Sequence, residues 1–478
     1  ELGDCYFLSA LASIAESSPQ VINDMFVDRN RWKDGIYTTR WLLNGKSTTV
    51  VVNGEIPATY GDEVDPNQPW FVGPTKASGE RDAMEFWPSI MEKTWAKIFG
   101  RYSNIDGGFW SNVVVAMTQA PVKVFDEPGE QKDTVWKALL EATENKAPMG
   151  AGSRSKPDEK DMSEKAVALR KIGLPFGHQY SVFRAHEEDG KQKVDLFNPH
   201  GENTYKGSLG EQNPTEGYFT MTFDEFCELM DSLEIATAKD GYHVASSKIE
   251  KPKPEGPIEG VLEFTIKSDK PFYASVTWPN NKFFPEACDF DMKKPKQQRI
   301  QLLKKDDLVD HNDDPESLCG KESNENEQIL VNSLSQKMGT GAGTYVMYAS
   351  VEYHESADFV KEAFVTIYSA DEGVQLQKST VSGKDFQKYL GQEGCGGDRT
   401  QLERLYSVGQ TDGFHAITLN GSHVPLITLA IASIAAAGTA LAYKRRGVPL
   451  TFGPLAHSSL TVEGNSELEE GSEGLRHE

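Results

Sequence analysis

One stretch, FGHQYSVFRAHEEDGKQKVDLFNPHG at 176–201, leaves this chain few ways to fold. QYSVFRA and KVDLFNP both alternate apolar and polar residues, the period of a half-buried strand. Asp189-Gly190 stands between them, and this dipeptide signals a tight hairpin turn because both residues tolerate positive φ. Folding at that turn places His178 opposite about residue 201, within roughly three residues of Asn198, a gap that a bulge or a splayed strand end absorbs. A histidine and an asparagine therefore meet at the open end of one hairpin.

A second stretch, ELGDCYFLSALASIAESSP, opens the chain. Phe7, Leu8, Leu11, Ile14 and Ala15 follow helical spacing, so a helix is expected over 5–17, with Pro19 as its stop. Cys5 falls in the first turn of that helix. A free thiol titrates near ~8.5, and a helix N-terminus with a neighbouring imidazole lowers it toward the nucleophilic thiolate. Taken singly, Cys5 reads as core filler, His178 as a structural histidine and Asn198-Pro199 as a turn. Together they make the set that cysteine nucleophiles use: a thiol, an imidazole and an amide that orients the imidazole.

The chain has 478 residues and a formal net charge of −23. Phosphate binding needs clustered Lys and Arg, so a broad nucleic-acid surface is excluded. Five cysteines (Cys5, Cys227, Cys288, Cys319 and Cys395) form no CxxC and no zinc-like spacing. So sparse and odd a count fits reduced thiols and a cytoplasmic protease domain. The first residue is Glu rather than Met, and the chain is read as a fragment or processed product.

GIYTTRWLLNGKSTTVVVNGEIP reads as a hairpin about Asn44-Gly45, and EFWPSIMEKTWAKIFG as an amphipathic helix ended by Gly100. A further short helix is expected at TFDEFCELMDSL, capped by Thr222. SSKIEKPKPEGPIEG at 246–260 has the Pro, Gly and charge content of a linker. The strand-like runs GVLEFTIKS, PFYASVTW, QRIQLLKK, GTYVMYASVEY and AFVTIYSA over 261–370 suggest an antiparallel β-sandwich. VPLITLAIASIAAAGTALAY at 424–443 carries no charge and is long enough to span a bilayer as a helix, so membrane association is expected there. Residues 371–423 are unassigned, and 444–478 form an acidic tail.

LGDCYFLSALASIAE resembles the catalytic-cysteine motif of the calpains, GHQYSV resembles their histidine motif, and NPHGE is similar to their Asn-Pro-Trp-Gly block. The resemblance covers 1 to about 240 closely, and the following β-region more loosely. It implies an α+β fold: a two-lobed papain-like cysteine protease core, with the Cys lobe at 1–110 and the His/Asn lobe at 111–245. It also implies a cysteine endopeptidase acting on protein substrates, with Cys5 as nucleophile, His178 as acid–base group and Asn198 as its orienting partner. The oxyanion glutamine of the family would precede Glu1, and His200 stands where the family has Trp. Calpains are calcium-activated through acidic loops. In the second lobe the carboxylate positions fall at Thr204, Glu211, Glu216 and Tyr218, and in the first lobe NIDGGFWSNV leaves Asp106. Ca2+ through Asp106, Glu211 and Glu216 is the implied cofactor, and no EF-hand follows. The competing expectation is a weakly active or inactive scaffold that keeps the fold.

Overall fold

The computed structural model describes residues 2–381 except 44, 58–74, 77–83, 157–159, 161–166, 168–170, 211, 215–216, 240, 253–255, 280–294, 296, 306–317, 325–332, 339–341 and 354–359. The first unit is built on α1 (Cys5–Ser17), α2 (Pro19–Met25), the hairpin β1 (Ile36–Leu43) and β2 (Lys46–Asn53), a short pair β3 (Thr75–Lys76) and β4 (Met84–Glu85), α3 (Trp87–Ile98) and α4 (Trp110–Thr118). Pro19 ends one helix and begins the next: its fixed φ and missing N–H suit a first helical position. The aromatic rings of Phe7, Trp41 and Trp95 meet at the centre, with centroids 5.2 to 6.5 Å apart.

Helix α4 belongs to this core, because Val113, Val114, Ala116 and Met117 pack with Phe7 and Leu11. The boundary expected at 110 therefore lies beyond residue 118. The reason is that α4 buries its apolar residues against α1 and β1.

The second unit is a six-stranded antiparallel sheet in the order β5-β10-β6-β7-β8-β9. Its strands are β5 (Val122–Asp126), β6 (Met149–Ser153), β7 (Gln179–Glu188), β8 (Lys191–Phe197), β9 (Tyr218–Thr222) and β10 (Met230–Ala236). Helices α5 (Lys132–Glu144) and α6 (Phe223–Leu229) contribute Val135, Leu139, Phe223 and Phe226 to its core. Thr222 caps α6 in a reciprocal box with Glu225, accepting from the Glu225 N–H while the carboxylate reaches back.

Among the described residues, nine strands make the third unit. They are β11 (His243–Glu250), β12 (Ile258–Ile266), β13 (Phe272–Thr277), β14 (Gln297–Lys304), β15 (Leu318–Asn324), β16 (Ser333–Met338), β17 (Gly343–Glu352), β18 (Glu362–Ser369) and β19 (Gln377–Lys378). They hydrogen-bond along one path, β15-β14-β17-β12-β11-β18-β13-β16, with β19 on β12. The path narrows to a single pair, Glu250 with Glu259, between β11 and β12. Ile249, Val276 and Val365 from one half share a core with Phe264, Tyr345 and Met347 from the other.

Both ends of the expected 246–260 linker are strand. Residues 246–250 pair with β18, and Ile258 begins β12, because Ile249 and Ile258 are buried in the core. This unit also grips the first: Ser246 Oγ donates to the carbonyl of Gly45, at the tip of the β1–β2 hairpin. Among the described residues no helix is long and apolar enough to cross a membrane, and the stretch at 424–443 lies outside them.

Candidate active site

The two lobes meet so that the start of α1 faces the start of β7. Cys5 is the first residue of α1, so its backbone N–H has no acceptor within the helix. The approach to it is pinned from the first lobe. The Gly3 N–H donates to Asp106 Oδ1 at 2.7 Å, and the Gly107 N–H donates to the Gly3 carbonyl at 2.8 Å. A Cβ on Gly3 would lie 2.6 Å from Asp106 Oδ1, so a larger residue would push that carboxylate from its place. Asp4 is buried beneath, and the cost of burying charge holds its carboxyl above the usual range.

Across the cleft, the β7–β8 turn has Asp189 and Gly190 at φ 53° and 71°, the doubly positive turn that the sequence indicated. The ladder pairs Glu188 with Lys191 and Arg184 with Asp195, then slips by one residue so that Val182 faces Leu196. Phe183 is the bulged residue. That slip brings the end of β8 toward the start of β7, and His178 Nε2 lies 2.8 Å from Asn198 Oδ1.

The orientation of the Asn198 amide is fixed by its other partners. Nδ2 donates to the Glu202 carbonyl at 2.9 Å, and Oδ1 accepts a second bond from the His200 N–H at 3.1 Å. An amide oxygen only accepts, so Nε2 of His178 carries the proton and Nδ1 keeps its lone pair. The His178 backbone is locked by exchange with Ser153, whose Oγ accepts its N–H at 3.0 Å. The Tyr180 ring meets the imidazole edge-on, 4.8 Å away, and the His200 ring sits 4.3 Å from it on another side.

Electrostatics at the site run against a preformed ion pair. Burial pushes the Cys5 thiol upward, opposed by the backbone N–H of Gln179, the residue after His178. Burial, and next the neighbouring His200, push His178 from its usual 6.5 down to about 4, opposed by Asn198. The thiol that the sequence placed at a helix start, and expected to be lowered, is instead pushed up by burial. Both shifts favour the uncharged forms, thiol and imidazole.

The metal expectation fares differently. Glu211 and Glu216 lie outside the described residues. Asp106 spends one oxygen on the Gly3 N–H, and among the described residues no group of three His, Cys, Asp or Glu could hold an ion. Calcium takes six to eight oxygens, two of the three carboxylates expected to supply them lie outside the described residues, and no chemical step below runs through a metal.

Sequence reasoning missed the polar seam between the lobes. Ser181 Oγ donates to the Ser9 carbonyl at 2.8 Å, and the Met149 N–H donates to Ser13 Oγ at 2.8 Å. The Ser111 N–H donates to Glu234 Oε2 at 3.0 Å. Ser9, Ser13, Ser111, Ser181 and Glu234 are all buried. The available signal was the spacing of Ser9 and Ser13, four residues apart on a helix whose other face is apolar.

Residues 1–237 match the model of the calpain family cysteine protease. They belong to the calpain family. The calpain-type cysteine protease DEK1 of Zea mays is 31% identical over 204 residues, covering 41% of this chain and 8% of that protein. Its namesake in Arabidopsis thaliana is 29% identical over 248 residues, covering 47% and 11%. Calpain-14 of Homo sapiens is 23% identical over 419 residues, 76% of this chain and 58% of that protein, so this match extends past the calpain-family segment into the β-rich unit. The chain spans about a tenth of the length of the plant relatives.

Proposed function

We propose that the chain is a cysteine endopeptidase that cleaves protein substrates through Cys5, His178 and Asn198. The observation that carries the reading is the His178 Nε2 to Asn198 Oδ1 bond at 2.8 Å, on the side of the cleft opposite Cys5. With Nε2 committed to Asn198, Nδ1 is the basic atom. As the Cys5 sulfur attacks the scissile carbonyl carbon, its proton passes to Nδ1. With the uncharged forms favoured, this transfer is part of the attack rather than a step before it.

The carbonyl oxygen becomes an oxyanion that accepts from the Cys5 N–H, free at the helix start. The C–N bond then breaks, and the imidazolium returns its proton to the leaving amine. Water, deprotonated by the same imidazole, hydrolyses the thioester. Limited proteolysis inside the cell is the setting proposed; it is supported by Cys5 and Cys227, both free thiols.

The test is hydrolysis of an unfolded protein by the full chain beside Cys5→Ala. Turnover should fall by about 10³-fold or more in the variant. Equal turnover would overturn the reading and favour a scaffold that keeps the fold.

A further inference from the structure

Glu234 lies in the middle of β10, fully within the protein and 2% exposed, yet it plays no part in the chemistry above. A carboxylate is an expensive group to bury, and it persists only where its oxygens are used. Here they are used in opposite directions. Oε2 accepts the Ser111 N–H at 3.0 Å, in the first turn of α4, where unpaired N–H groups and the helix dipole favour a carboxylate. Oε1 accepts from the Gln179 side chain at 3.4 Å, at the start of β7.

The two ends of this bridge belong to different parts of the site. Helix α4 packs in the core that also holds Tyr6, Phe7 and Ala10 of α1, behind Cys5. Gln179 follows His178 directly, and its backbone N–H is the group that faces the Cys5 thiol. The bridge is tight. Gly150, paired with Glu234 in the ladder, has no Cβ because one would lie 2.7 Å from Trp110 Nε1, at the start of α4. The groups facing Glu234 from the packed elements are the side chain and backbone N–H of Ser111 on α4, Asp126 on β5 and the Gln179 side chain on β7.

We propose that Glu234 is a positioning residue that ties α4 of the Cys lobe to Gln179 of the His lobe and so holds Cys5 in register with His178. The proposal rests on the protease reading for its rate measurements, so a second readout is chosen that does not need turnover.

The experiment uses the full chain and the variants Glu234→Ala, Glu234→Gln and Gln179→Ala. Glutamine at 234 keeps an oxygen for the Ser111 N–H, and Gln179 can turn its own amide to accept from the new NH2. Expected is a roughly tenfold fall in kcat for Glu234→Ala with KM within twofold, since misplacing reacting groups costs rate more than binding. Gln179→Ala should show a smaller fall, and the double variant should be no worse than Glu234→Ala. Glu234→Gln should return kcat to within about threefold and flatten its change between pH 6 and 8.

In parallel, iodoacetamide labelling of the Cys5 peptide is followed by mass spectrometry. It should be slower in Glu234→Ala than in the other forms, whether or not the protein hydrolyses peptides. Wild type that labels in this order but shows no turnover would count against the protease reading alone. A Glu234→Ala protein that melts lower yet matches wild type in kcat and labelling would overturn the positioning role.

Discussion

The core of the Cys lobe and the seam between the lobes are equally buried but chemically opposite. The core is Phe7, Trp41 and Trp95 in ring contact, with Leu11 and Ile14 around them. At the seam, serines, backbone groups and one glutamate meet in single hydrogen bonds. Apolar burial is non-directional and supplies most of the folding free energy, while a hydrogen bond adds about 1 kcal/mol net but fixes a distance and an angle. The lesson is a division of labour. Each lobe is stabilised by its own apolar core, and the relation between Cys5 and His178 is set by directional contacts.

The largest effect is expected in the core. Phe7→Ala should destabilise by about 3–5 kcal/mol, read from chemical denaturation, while the rate per folded molecule changes little. A collapse of that specific rate would break the division.

The pH dependence of stability separates two buried groups that pull in opposite directions. His178 falls from 6.5 to about 4 on folding, so its contribution is full above 6.5 and is lost as pH drops toward 4. Burial raises Glu234 from its usual 4.5 to about 7, so its contribution is full below 4.5 and is lost as pH climbs through 7. Each amounts to about 3 kcal/mol at most, and over the shared window they offset one another. Glu234→Gln should therefore steepen the loss of stability on acidification from pH 7 to 5. An unchanged slope would mean that the carboxyl binds the same number of protons in the folded and unfolded chain across that window.

Within the seam, Ser181→Ala removes the cross-lobe donor to the Ser9 carbonyl, which keeps its helical partner in α1. It should cost about 1–2 kcal/mol and lower kcat by roughly threefold, the reverse of the core pattern. Smallest is Thr222→Ala, which removes the α6 cap far from the cleft. A loss of about 1 kcal/mol in melting experiments, with kcat intact, would sharpen the contrast.

Much of the site was legible because its determinants are local. Asp189-Gly190 sets the hairpin register within three residues, and the slip at Phe183 removes one of those three. Helix 5–17 was legible from its apolar spacing, although Leu8 and Ala15 prove only partly buried and Ser9 and Ser13 take buried places beside Phe7 and Leu11. A polar residue on a helix reads as solvent-facing until a second surface is known to lie against it. The same blindness hid Glu234, which follows directly on the segment expected as a helix at TFDEFCELMDSL and shows no partner in sequence, and let Pro-rich neighbours disguise the end of β11 and the start of β12 as a linker.

By itself, then, the sequence determined the elements and their chemistry: a cysteine at a helix start and a histidine and an asparagine at one hairpin mouth. These follow from periodicity and turn geometry, which act over a few residues. Only the tertiary structure decided that α4 packs with the Cys lobe, that Asp106 holds Gly3, and that burial pushes the Cys5 thiol up and His178 down. Those outcomes depend on which surfaces exclude water from which groups. Segments more than a hundred residues apart, Ser9 with Ser181 and Ser111 with Glu234, must come together before that is settled.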